Sequence, residues 1–114
     1  MRHIGYYGET LAKHHLKQHG FIIVATNVYT RYGELDIIAR KKNRVHVIEV
    51  KFLKKARIHS GYKINRVKKI RMIRSSQIAI DRYSLHNTYI QFDLITIVTG
   101  TIHHIENIFN VSDV

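Results

Sequence analysis

The 114-residue chain has no cysteine, no proline and no tryptophan, and its nineteen Lys and Arg face only eight Asp and Glu. The missing cysteine removes disulfides, thiolate zinc sites and a cysteine nucleophile together, and it is compatible with a reducing compartment. Long hydrophobic runs are missing too: residues 21–25 are the longest clearly apolar stretch, far below the ~20 residues that cross a bilayer. The start Met1-Arg2-His3-Ile4-Gly5 carries no apolar signal core, so a cytoplasmic protein without a membrane partner is expected. No Gly-x-Ser-x-Gly elbow, phosphate-binding glycine loop, dinucleotide fingerprint or internal repeat occurs.

What remains is ordinary in amount and unusual in sign. Hydrophobic residues at 45% and charged residues at 24% are globular proportions, and the length suits one domain over 1–114. The net charge of +11 creates a field that draws polyanions from a distance and releases counterions on contact. Nucleic acid is therefore the first candidate partner. A surface serving an acidic protein is the weaker alternative.

Because acids are scarce, their positions carry weight. Before residue 81 they are Glu9, Glu34, Asp36 and Glu49, while residues 50–80 contain ten Lys and Arg and no acid. Three of these four acids lie in Gly33-Glu34-Leu35-Asp36-Ile37-Ile38-Ala39 and Val47-Ile48-Glu49-Val50-Lys51, two β-branched runs around Lys41-Lys42-Asn43-Arg44. That pattern predicts an antiparallel hairpin. A turn centred on Lys42-Asn43 sets Ala39 against His46, Ile37 against Ile48, Asp36 against Glu49 and Glu34 against Lys51. Leu35, Ile37, Ile48 and Val50 would then point to a core, leaving Glu34, Asp36, Glu49 and Lys51 on the other face. Opposed like charges destabilise a strand pair, and a shared hard cation such as Mg²⁺ removes the conflict. The plain alternative is a solvated strand face.

The remaining elements arrange themselves around this hairpin. Helical spacing of Gly8, Leu11, Ala12, His15, Leu16 and His19 predicts a helix over 6–19 that stops at Gly20. Glu9 shares a flank with Ala12 and Leu16, so it looks toward the sheet edge or, more simply, offsets the helix dipole. A strand is expected over 21–25, with turn residues Thr26-Asn27 and Tyr32-Gly33 leading into the hairpin and 28–31 extending strand pairing. Residues 52–62, with Lys54, Lys55 and Arg57, read as a basic loop that closes over a phosphate backbone.

A second helix is predicted over 63–83, beginning at the basic Lys63. Ile70, Met72, Ile73, Ala79, Ile80 and Tyr83 form its apolar side, and Lys68, Arg71 and Arg74 a basic side for phosphates or solvent. Gln77 borders the apolar stripe, within possible reach of the acids. Strands are expected over 90–98 and 101–105, with Asp93 paired to a basic neighbour and given no catalytic role. His15 with His19, and His103 with His104, lack a third ligand at zinc spacing, so no histidine zinc site is expected.

Taken together, Gly8-Glu9 with Ala12 and Leu16, Gly20-Phe21, Asn27, the two hairpin stretches, Phe92-Asp93 and His104-Ile105-Glu106-Asn107-Ile108-Phe109 resemble the bacterial YraN-like family nearly end to end. That family is similar to Holliday junction resolvases and restriction-endonuclease-like nucleases, whose site is an Asp followed on the next strand by Glu-x-Lys. The resemblance implies an α/β fold with a mixed sheet flanked by helices, an αβββαβ core. It implies Asp36, Glu49 and Glu9 as ligands of Mg²⁺ or Mn²⁺, Lys51 as catalytic lysine, and an accessory place for Glu34. The chain departs from the family at Leu53, where arginine is usual, and at Ile108, where alanine is usual. The expected activity is metal-dependent hydrolysis of structured DNA, with a homodimer suited to a four-way junction. The competing expectation is a nucleic-acid-binding module without catalysis.

Overall fold

The computed structural model describes residues 2–54 and 63–114, with side chains from residue 7 onward. Helix α1 (Arg2–Gln18) leads into strands β1 (Ile22–Thr30), β2 (Gly33–Lys41) and β3 (Arg44–Leu53). Helix α2 (Arg66–Arg82), strands β4 (Tyr89–Val98) and β5 (Thr101–Phe109), and a 3-10 turn (Val111–Asp113) follow. The sheet order is β1-β2-β3-β4-β5, with β3 and β4 parallel and the other pairs antiparallel. This is the expected α/β order, a mixed sheet flanked by two helices and compatible with a restriction-endonuclease-like fold.

Each sheet face has its own core. Ala12 and Leu16 of α1 pack with Phe21, Ile37, Ala39, Ile48, Ile95 and Ile97. Met72 and Ala79 of α2 pack with Val28, Leu35, Ile38, Val45, Val47, Phe92 and Leu94. Residues 91–98 of β4 are all buried, as a strand with a parallel neighbour and covered faces requires.

Local chemistry sets the boundaries. Gly20, at φ +87°, ends α1 while Phe21 donates its amide to Leu16 O at 3.0 Å, a glycine-type cap. Asn65 caps α2 by accepting from the Lys68 amide at 2.9 Å, so the helix begins three residues later than its sequence suggested, leaving Lys63 exposed ahead of it. The buried stripe of α2 runs through Met72, Ser75, Ser76 and Ala79, while Ile70, Ile73 and Ile80 are only half-buried. The serines let α2 come close to β1: Ser75 Oγ lies 2.8 Å from Thr30 Oγ1.

Thr26-Asn27 does not turn. β1 continues through both residues because Val28, 2% exposed, pairs with Leu35 and anchors the chain in the core. Asn27 accommodates this with a φ of 52° inside the strand. The β1–β2 turn falls at Arg31-Tyr32, overlapping the expected Tyr32-Gly33 turn and closed by the Thr30–Gly33 pair. β5 runs past 105 to Phe109, whose ring stacks on Phe92 at 4.7 Å.

Candidate metal and nucleic-acid site

The predicted hairpin register holds where the strands pair: Ile37 stands opposite Ile48, Ala39 opposite His46, and Lys41 opposite Arg44. Lys42, at φ 57°, makes the turn. The ladder ends at Ile37–Ile48, one step short of Asp36 and Glu49. There Asp36 Oδ2 accepts the Val50 amide at 2.8 Å, so a side chain takes the place of a ladder carbonyl and the strands part. Glu34 therefore does not stand against Lys51; it pairs with Tyr29 of β1.

The parting is coupled to a kink. In a regular strand Leu35 and Ile37 share a face. Here Leu35 joins the α2-side core, while Ile37 joins the α1-side core with Ile48 and neighbouring Val50. Leu35 is thus absent from the face it was expected to share. The switch falls at Asp36, at the step where β1 carries the left-handed Asn27 between the Thr26–Ile37 and Val28–Leu35 pairs.

Four acids from three elements converge on this break. One carboxylate oxygen each from Glu9 of α1 and Glu34 and Asp36 of β2 lie within 4.8 Å of one another. On another side Asp36 interacts with Glu49 of β3. The Asp36 pKa is raised from 3.8 to about 7, first by burial and then by the Glu49 charge and hydrogen bond, against the opposing Val50 amide and Lys68 charge. Among the described residues Glu34 Oε2 is buried with no hydrogen-bond partner. Glu34 thus belongs within the cluster rather than at its margin. All donors are oxygens, the set suited to Mg²⁺ or Mn²⁺, and an orphaned buried carboxylate oxygen is the type of group such an ion satisfies.

Cations border the acids. Lys68 Nζ lies 3.4 Å from Glu49 Oε1, so this residue, read from sequence as part of a phosphate-facing side, turns toward the acids. Lys51 follows Glu49 by one strand repeat and is exposed. Arg71 is exposed against the β1–β2 turn, its Cδ 3.9 Å from where a Cβ on Gly33 would sit. Arg74 and Arg31 flank the Tyr32 ring, with guanidinium carbons 5.5 and 4.9 Å from its centroid. Lys63 and Lys54 are exposed, whereas Lys55 and Arg57 lie outside the described residues. Gln77 is exposed and lines a groove with Ile70, Ile73, Arg74, Val111 and Val114, none of them an acid of the cluster. Phe52 packs toward α1, its ring 6.3 Å from that of Tyr7.

A second polar cluster shares no residue with the acids and reaches toward the β2–β3 turn, where His46 lines a groove with Lys41, Lys42 and Asn43. Asp93, fully buried, accepts from His46 Nδ1 at 2.6 Å and from His104 Nε2 at 2.8 Å on one oxygen. Its other oxygen accepts from Gln91 Nε2 at 2.9 Å and from the Asn107 amide at 3.1 Å. Burial alone would raise the Asp93 pKa, but the hydrogen bonds from His104, His46 and Gln91 prevail and hold it near 2. The expected basic neighbour of Asp93 is thus a pair of histidines. The convergence was illegible in sequence because these partners stand 47 and 11 positions away.

The fold is a mixed α/β domain compatible with a restriction-endonuclease-like fold, with four carboxylates gathered where the β2–β3 ladder ends. Residues 8–97 match the model of the Uncharacterised protein family UPF0102, and the chain belongs to this YraN-like family. It is 36% identical over 102 residues to a UPF0102 protein of Fervidobacterium nodosum, covering 88% of this chain and 77% of that protein. A UPF0102 protein of Campylobacter hominis is 36% identical over 104 residues, with 91% of each chain covered. One from Persephonella marina is 32% identical over 106 residues, covering 90% of each. Among the described residues no helix is long and apolar enough to cross a membrane.

Proposed function

We propose that the protein is a Mg²⁺- or Mn²⁺-dependent endonuclease that hydrolyses phosphodiester bonds in structured DNA, with branched, flapped or junction DNA as substrate. The observation that carries the reading is the convergence of Glu9, Glu34, Asp36 and Glu49 where the β2–β3 ladder opens, with Glu34 Oε2 buried and unpartnered. Asp36, Glu49, Glu9 and Glu34 would hold the ion. Bound there, the ion supplies charge stabilisation at the phosphate and acidifies water.

The chain's own residues do the rest. The Val50 amide fixes the Asp36 carboxylate. Lys51 stands beside the scissile phosphate and offsets charge that develops in the transition state. Arg71, Arg74 and Arg31, gathered around Tyr32 and Gly33, take backbone phosphates next to the acids. A homodimer would present two such sites to the arms of a four-way junction.

One observation favours a second reading. Lys68 already supplies Glu49 with a counter-charge at 3.4 Å, an arrangement that also suits a nucleic-acid-binding module without catalysis. The deciding experiment is a panel of four-way junction, flap, single-stranded and duplex DNA, with matched RNA, incubated with Mg²⁺, Mn²⁺ or chelator beside Glu49→Ala. Metal-dependent cutting lost in Glu49→Ala supports the nuclease. Binding without cutting under any metal supports the module.

A further inference from the structure

The acids do not account for the His46–Asp93–His104 cluster, which is built from β3, β4 and β5 at the β2–β3 turn end of the sheet. Each of the three offers one ligand atom within 4.8 Å of the others, and His46 Nδ1 and His104 Nε2 both meet the same Asp93 oxygen. We propose that these residues form a second metal site, separate from the carboxylate site, for a borderline divalent transition ion of the Zn²⁺ class.

Donor chemistry separates the two sites. Two imidazoles and one carboxylate are the ligand types favoured by Zn²⁺ and its first-row neighbours, whereas Mg²⁺ prefers the all-oxygen set formed by the four acids. The supporting shell is already in place. Gln91 and the Asn107 amide hold the Asp93 oxygen that does not meet the histidines, as outer partners orient a ligating carboxylate. Gln91 is held in turn by Glu106 Oε1 at 2.9 Å.

The backbone is deformed to achieve this. The β4–β5 register shifts between Phe92 and Leu94, and Asn107 adopts a φ of 53° in the bulge that turns its amide onto Asp93. The Phe21 ring packs edge-on against His46, its centroid 4.8 Å away, and limits rotation of the imidazole.

Of the three ligands, His46 lines a groove of about 430 Å³ together with Phe21, Glu106, Tyr89, Lys41 and Arg44, and an ion would approach from that side. A three-donor set leaves coordination positions open, as catalytic zinc sites do, and the basic rim would deliver an anion or water to them. On binding, the proton on each coordinating nitrogen moves to the other ring nitrogen or to solvent, so no oxidant or reductant is needed.

The test uses the full chain with Co²⁺ or Zn²⁺ alone. In the Asp36→Asn/Glu49→Gln double variant, which disables the acid site, one equivalent of Co²⁺ should still give a visible ligand-field band, displaced by one equivalent of Zn²⁺. His104→Gln, at a half-buried position on the edge strand, should abolish the band. His19→Gln, at an exposed position of α1, should leave it intact. An unchanged band in His104→Gln, or its loss in His19→Gln, overturns the proposal. A readout on the unmodified chain is imidazole ¹⁵N NMR. Protons persisting on His46 Nδ1 and His104 Nε2 in excess Zn²⁺ would make the cluster a hydrogen-bonded triad only.

Discussion

The Val50 amide donates to Asp36 Oδ2 at 2.8 Å, where the next backbone bond of the β2–β3 ladder would otherwise form. A single carboxylate thus ends one strand pairing and faces three other acids. The substitution Asp36→Asn separates these roles, because its amide oxygen can still accept from Val50 while the charge is gone. The metal-free variant should melt no lower than the wild type, since repulsion with Glu49 and the cost of a buried charge are both relieved. Wild type should gain ~2.7 kcal/mol at a Mg²⁺ or Mn²⁺ concentration about 100 times the dissociation constant, a shift of several degrees that the variant lacks. Thermal melts at rising Mn²⁺ check this; equal responses in both proteins would remove the cation from the acids.

The same residue sets a pH dependence. Its folded pKa of about 7 lies above its ordinary 3.8, so the folded chain holds this proton more tightly than the unfolded chain. The associated stability is complete below about pH 4 and is lost as pH rises through about 7, a change on the order of a few kcal/mol. Urea titrations from pH 5 to 8, taken as the difference from Asp36→Asn, should show wild type losing ground as pH rises, in roughly this window. Proton competition adds a second signature: apparent Mg²⁺ affinity should fall by up to ~tenfold per pH unit below about 7. A flat difference curve would mean that Asp36 is ionised throughout.

Much of this site was legible because hairpin pairing is local. β-branched runs and a polar break fixed the register from Lys41–Arg44 to Ile37–Ile48, and acid scarcity drew attention to Glu9, Glu34, Asp36 and Glu49. The kink at Asp36 was not legible, because an Asn in a left-handed conformation inside a strand resembles an ordinary turn signal. The Lys68–Glu49 contact was not legible for another reason. A helical wheel gives the angular position of Lys68 but not the direction of a flexible amine, which here reaches Glu49. The Asp93 cluster needed three strands in register before its histidines could meet.

Catalysis should separate Lys51 from Lys68. Lys51→Ala should abolish cleavage while leaving DNA and Mn²⁺ binding largely intact, because its proposed contribution arises mainly in the transition state. Lys68→Ala removes a partner 3.4 Å from Glu49, so it should change metal affinity as well as rate. Single-turnover cleavage beside gel-shift and metal titrations distinguishes these roles. Equal loss of binding and cleavage in Lys51→Ala would make it a docking residue.

Salt dependence tests whether the cations beside the acids meet phosphate. If about five phosphates are neutralised on duplex DNA, log K should fall against log salt with a slope of roughly −4 to −5. Arg71 and Arg74 are exposed near the β1–β2 turn, so the double alanine variant should flatten the slope by about 2 across unrelated sequences. Adding Lys68→Ala should flatten it by less than a further ~1, because part of that charge is already spent on Glu49. The fold should be unaffected, since Arg71 and Arg74 lie outside the buried Met72–Ser75–Ser76–Ala79 stripe. Fluorescence anisotropy over a salt series measures all three slopes. A triple variant with the wild-type slope would assign this side of α2 to solvent and move the phosphate contacts to the cations around β3.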